Sequence, residues 1–174
     1  MKKTVFLFGL TAVLSIMILV ACQKDNNDNN KSTTLKVRMT DAPILADSVK
    51  VDIRQVRVNF RNDSSSWVDL NTYAGVYDLL QLQNGVDTLL AAGVIPSNDV
   101  QEIRFVLGSN NTIVVAGIAY PLTIPSGAES GLKLKINKQL NGPVDSILID
   151  FDAAMSIHQT GVGVYKLMPV LKIK

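Results

Sequence analysis

The sequence predicts an all-β domain, an antiparallel β-sandwich, on three observations. Apolar residues recur at every second position in several short runs, Gly, Pro and Asn punctuate those runs, and no second linker divides residues 34–174. Leu35, Val37 and Met39 alternate with Lys36 and Arg38; Ile103, Phe105 and Leu107 with Glu102 and Arg104; Leu132, Leu134 and Ile136 with Lys133 and Lys135. A period of two turns one set toward a core and the other toward water, the pattern of an antiparallel sheet with one wet face. A stretch of this length buries a core without disulfides.

In chain order, the first strand is expected around Leu35 to Met39. In the second, Val49, Val51 and Ile53 keep one parity and Val56, Val58 and Phe60 the other. One extra residue near Arg54 and Gln55 restores the inward face, so a β-bulge is predicted there. Further strands are expected over residues 67–70, 112–122, 144–151, 153–158 and 164–173. Turns separate them at Asn62-Asp63, Ala116-Gly117, Pro125-Ser126-Gly127, Asn141-Gly142-Pro143 and Thr160-Gly161. Many short strands with this punctuation indicate a sandwich. Residues 86–93 fit two readings: Leu89 to Ala92 before Gly93 make either one helical turn ended by glycine or a strand.

Ahead of the domain, residues 1–21 have the three parts of an export signal: Lys2 and Lys3, an apolar stretch from Val5 to Val20, and small residues before Cys22. A membrane-spanning anchor is the competing reading. It needs about 20 predominantly apolar residues, whereas this stretch is shorter, holds Gly9, Thr11 and Ser15, and runs into a cysteine. Leu19-Val20-Ala21-Cys22 resembles the lipobox of bacterial lipoproteins, and Cys22 is the only cysteine. The resemblance implies a diacylated Cys22 at the mature amino terminus and a membrane partner reached through that lipid. Acyl chains stabilise attachment by ~0.8 kcal/mol per buried methylene, and two chains make it stable.

Residues 22–33 are expected to form a flexible tether, because residues 23–32 contain no apolar side chain to offset the entropy of ordering. Lys24-Asp25 resembles the short charged signal that directs Bacteroidota lipoproteins to the outer face of the outer membrane. The alternative is a merely polar linker. Charge adds an exclusion: of 17 Lys and Arg, Lys2 and Lys3 leave with the signal, so 15 basic residues face 15 acidic ones. Such a balance carries no footprint for nucleic acid.

Local motifs then fall in one order: Arg38-Met39-Thr40-Asp41-Ala42-Pro43, Asp78-Leu79-Leu80, Glu102-Ile103-Arg104-Phe105, Ser130-Gly131-Leu132-Lys133-Leu134, Asp150-Phe151-Asp152-Ala153 and Tyr165-Lys166-Leu167-Met168-Pro169-Val170. This resembles the bacterial family called domain of unknown function 4382. The resemblance implies a prealbumin-type or immunoglobulin-like sandwich on a secreted or lipid-anchored protein, and supplies no catalytic residue. Pro96-Ser97-Asn98-Asp99-Val100 departs from the Pro-x-Gly-x-Tyr turn expected before the Ile-Arg strand.

The residues offer few routes to chemistry. His158 is the only histidine, so a zinc site or a Ser-His-Asp arrangement would have to use it; after Ile157 and before Gln159-Thr160-Gly161 it is expected to face solvent. Cys22 cannot act as a nucleophile once acylated, and no catalytic residue is assigned. Asp150 and Asp152 are two apart on an expected strand, so their carboxylates would share a face with Phe151 turned inward. With Asp41, Asp47 and Asp52 they are candidates for an oxygen-rich calcium site, against the alternative of strand-end carboxylates in water or paired with Lys or Arg. Trp67, Tyr73 and Tyr77 would stack on sugars if exposed, although Trp67 before Val68 is expected to bury its indole. Two functions follow: a noncatalytic, surface-tethered module of the outer envelope with a glycan or protein partner, or an envelope hydrolase using the paired carboxylates. Burial separates them, because a catalytic pair lines a cleft with a raised pKa.

Overall fold

The computed structural model describes residues 32–60, 67–97, 99–125 and 131–174. Cys22, its lipobox, tether residues 22–31, the Asn62-Asp63 turn, Asn98 and the Ser126-Gly127 part of the Pro125-Ser126-Gly127 turn lie outside the described residues. Fourteen strands are formed among those described: β1 Ser32–Asp41, β2 Ser48–Asn59, β3 Trp67–Asp69, β4 Asn71–Thr72, β5 Gly75–Asp78, β6 Thr88–Pro96, β7 Val100–Leu107, β8 Thr112–Val115, β9 Ile118–Thr123, β10 Leu132–Lys138, β11 Val144–Phe151, β12 Ile157–Gly161, β13 Val164–Leu167 and β14 Leu171–Ile173. A 3₁₀ turn, Leu79–Leu82, and one short helix, α1 Ala153–Ser156, complete them.

The strands form two sheets packed as a sandwich. One runs β14-β11-β1-β6-β4; the other runs β10-β7-β2-β8-β9-β13-β12. The long β2 carries two strands end to end on each edge, β7 and β8 on one, β3 and β5 on the other. Leu35, Val37 and Met39 of β1 join Ile147, Ile149 and Phe151 of β11, and Ile53, Val56, Ile103 and Phe105 of the second sheet, in one buried cluster. At ~25 cal/mol per Å² of apolar surface removed from water, this burial is the main stabilising contribution.

The bulge stands where parity placed it. Ile53 pairs with Leu107 and Gln55 with Val106, leaving Arg54 as the extra residue. Val56 and Val58 thereby return to the core beside Val49 and Val51. Residues 86–93 resolve as a strand, since β6 starts at Thr88 and pairs along β1.

Four features differ from expectation. The sheets are mixed rather than purely antiparallel, because β1 runs parallel to β11 and β13 parallel to β9; alternation reports which face is buried and carries no strand direction. Residues 153–156 are helical, with the strand starting only at Ile157, because the Asp152 side chain accepts the Met155 N–H and caps a turn of Ala-Ala-Met. The expected strand 164–173 is cut into β13 and β14 in different sheets, at a segment containing Pro169, which has no N–H to give a ladder. β1 also begins at Ser32, inside the stretch assigned to the tether, and Thr33 is buried with its hydroxyl donating to the Gly142 carbonyl at 2.9 Å.

Candidate functional site

The parallel pairing of β1 with β11 brings the C-terminal ends of both strands together, Thr40 opposite Asp150 and Asp41 opposite Phe151. Three of the carboxylates singled out above therefore meet at one end of this sheet. Asp41 is 3 % exposed, Asp150 and Asp152 7 % each.

Each has a different set of partners. Asp41 Oδ1 accepts the backbone N–H of Ala153 at 3.0 Å, and Oδ2 accepts Gln83 Nε2 at 3.2 Å. Beside it the Thr40 hydroxyl bonds the carbonyls of Leu82 and Val86, both at 2.8 Å, tying down the segment after the 3₁₀ turn. Asp152 Oδ1 caps α1 through the Met155 N–H at 3.0 Å, and Oδ2 receives Lys172 Nζ at 2.7 Å. Asp150 Oδ2 pairs with Lys174 Nζ at 3.3 Å, while its Oδ1 is buried without a hydrogen-bond partner. Around α1 the Ser156 hydroxyl donates to the Asp152 carbonyl at 2.6 Å and accepts the Val170 N–H at 2.8 Å, joining the turn to the segment that leads into β14.

These environments pull the carboxyls apart. Burial pushes Asp41 up to about 6, against the bonds from Ala153, Gln83 and the Ala42 backbone, with the Asp150 charge adding a smaller upward push. The hydrogen bond from Lys172 holds Asp152 below the usual carboxylate range despite burial, and the same bond raises Lys172. Asp41 is the group whose charge changes near neutral pH, and Asp152 stays ionised.

The other candidates lie elsewhere. Asp47 Oδ2 accepts the Gly117 N–H at 2.8 Å in the hairpin between β8 and β9. Asp52 is fully buried, with Oδ2 bonded to Arg54 Nη2 at 2.7 Å and to the Asn110 N–H at 3.2 Å. Among the described residues no three His, Cys, Asp or Glu side chains come close enough to share a metal ion, so the structure does not assemble the calcium set Asp41, Asp47, Asp150 and Asp152. His158 is exposed on β12 opposite Lys166. Trp67 is half-buried under the guanidinium of Arg104, 4.2 Å from its ring centre, rather than inside the core. Tyr73 is exposed, and the Tyr77 hydroxyl donates to the Tyr73 carbonyl.

Alternation with apolar residues places Lys172 and Lys174 on a solvated strand face, and no sequence pattern marks Gln83. Only the pairing of β14 with β11 sets Lys172 opposite Asp150. The helix cap was legible in principle, since Asp before Ala-Ala-Met-Ser is an N-terminal helix signal. A separate cavity of about 540 Å³ opens between the loop after β7 and the end of β9, lined by Leu107, Gly108, Ser109, Asn111, Leu122 and Ile124.

No curated protein and no solved structure significantly matches this chain. One family does: the profile described as domain of unknown function (DUF4382) matches residues 32–169, nearly all of the sandwich and both halves of the carboxylate cluster, and the chain belongs to that family.

Proposed function

We propose that this protein is a noncatalytic lipoprotein, tethered through Cys22 to the outer membrane at the cell surface, whose sandwich serves as a binding or assembly module. The observation that carries this reading is the sequence Leu19-Val20-Ala21-Cys22 with its solitary thiol, followed by Lys24-Asp25 and an asparagine-rich stretch ahead of β1. The geometry of the carboxylates supports the noncatalytic part. Asp152 is consumed by a helix cap and a lysine, and both oxygens of Asp41 are held by hydrogen bonds within the fold.

The alternative, an envelope hydrolase using paired carboxylates, draws its support from Asp41, whose pKa near 6 suits a general acid. Against it, these groups tie β1, α1 and β14 to one another, which is a structural use of the same charges.

Exposure at the surface is tested on intact cells. External protease is expected to digest the wild-type protein, and replacing Lys24 and Asp25 with Ala is expected to reduce digestion while lipid incorporation continues. Full protection of the wild type, under conditions that digest a known surface protein, contradicts the surface placement.

A further inference from the structure

On the outer face of the second sheet, register aligns one row of side chains across four strands: Asp69 of β3, Arg57 of β2, Arg104 of β7 and Lys133 of β10. Three cations stand directly opposite one another in adjacent strands, an arrangement that destabilises a sheet unless anions intervene. The one carboxylate in the row, Asp69, is taken by Arg57, and in the next row Glu102 stands opposite Lys135, so the face carries four cations against two carboxylates. Lys133 and its neighbour Lys135 are exposed and make no ion pair among the described residues.

Arg104 adds an independent observation. Its guanidinium lies over Trp67 at 4.2 Å, and its Nε is buried with no hydrogen-bond partner. Gly131 leaves room for the stem, since a methyl there would meet Arg104 Cγ at 2.8 Å. Packing against Trp67 thus fixes the plane of the guanidinium; the buried Nε lies out of a ligand's reach, so recognition of carboxylate or sulfate oxygens would fall to the terminal nitrogens.

We propose that this row binds an acidic polysaccharide, an inference that rests on the surface-module reading above and names its partner class. The strands are about 4.8 Å apart, so Arg57 to Lys133 spans roughly 10 Å of open sheet rather than a pocket. Such a strip suits successive charged sugars of an extended chain. Single-stranded nucleic acid fits less well, because the one aromatic platform, Trp67, is already covered by Arg104.

The test uses the detergent-solubilised full chain. Trp67 is the only tryptophan, so its fluorescence reports on the guanidinium lying on it. Titration with polygalacturonate is expected to give a saturable change that neutral dextran does not, and that fades as salt rises. Lys133→Gln combined with Lys135→Gln, two exposed positions on an edge strand, is expected to weaken binding about tenfold, mostly at low salt. Arg104→Gln is expected to weaken it further, with the lysine variant guarding against a folding defect. No binding by the wild type at low ionic strength, or equal binding by the lysine variant, overturns the proposal. Tighter binding of polyuridylate than of polygalacturonate replaces the glycan by nucleic acid. Binding is read on purified protein, so its failure leaves the lipid anchor standing, and Cys22→Ala is expected to leave it unchanged.

Discussion

The carboxylate of Asp41, the last residue of β1, accepts the backbone N–H of Ala153 at 3.0 Å, fastening the first strand to the start of α1 across 112 positions of sequence. An ionised carboxylate is costly in this buried position, which is why its pKa rises to about 6. The bond and the burial work in opposite directions, and burial is the larger effect.

That opposition sets a pH dependence. Because the folded pKa of Asp41 lies above its unfolded value, its contribution to stability is full below about pH 4 and is lost as pH rises to about 6. Above that range the charge costs the fold about 3 kcal/mol at most, less whatever solvent screening removes. Asp41→Asn keeps an oxygen for the Ala153 N–H without the charge. The variant is expected to melt several degrees higher than the wild type at pH 7 and to lose the dependence between pH 4 and 6. Equal melting temperatures at pH 7, with equal slopes below it, refute this account of Asp41.

Asp152 works with the opposite sign. Its pKa is lowered, so its contribution is present above the unfolded value and disappears as pH falls below it. Asp152→Ala removes the cap of α1 and the partner of Lys172 together. Chemical denaturation at pH 7 is expected to show a loss of about 1–2 kcal/mol. Lys172→Ala, which removes a half-exposed partner only, is expected to cost less than Asp152→Ala. A larger loss for the lysine than for the aspartate rules out the cap as the dominant contribution.

Gly108 is required by space. A methyl group on it would run into Asp52 Oδ2 and Arg54 Nε, at the bulge of β2, while its N–H donates to the Asp52 carbonyl at 2.8 Å. Gly108→Ala is expected to destabilise the domain by about 1–3 kcal/mol. Gly75→Ala serves as the control, since a methyl there meets only the Tyr77 ring at 3.9 Å. If both substitutions are equally tolerated in a urea melt, the close approach of Asp52 to Gly108 is wrong.

Calcium is expected to leave the melting temperature unchanged. Asp150 and Asp152 already hold Lys174 and Lys172, and Asp47 is engaged at a different hairpin. A rise of a few degrees at millimolar calcium, abolished by Asp150→Asn with Asp152→Asn, demonstrates a cation site here and overturns the assignment of these charges to ion pairs.

Which face the longer strands bury was legible in the sequence, because a period of two survives any topology. Leu35, Val37 and Met39, then Ile103 and Phe105, are buried as their spacing required, and the parity change between Ile53 and Val56 located the bulge within a residue. Strand direction and partner were not legible, since a parallel neighbour and an antiparallel one impose the same alternation. The meeting of Asp41 with Asp150 and Asp152 follows only from β1 running parallel to β11. The same limit hid the row Arg57, Arg104 and Lys133, three unremarkable solvent-side residues until register aligns them. The two-residue β4 is too short for any periodic signal, and Asp-Phe-Asp alternates as well as it caps, so pattern alone places Asp152 on a strand.

The central claim is that Cys22 carries lipid, and metabolic labelling with a fatty acid tests it most directly. The wild-type chain is expected to take up label and to run at the size of a product lacking residues 1–21, whereas Cys22→Ala takes up none and remains unprocessed. Label retained in Cys22→Ala, or a wild-type chain that never incorporates it, contradicts the lipoprotein reading.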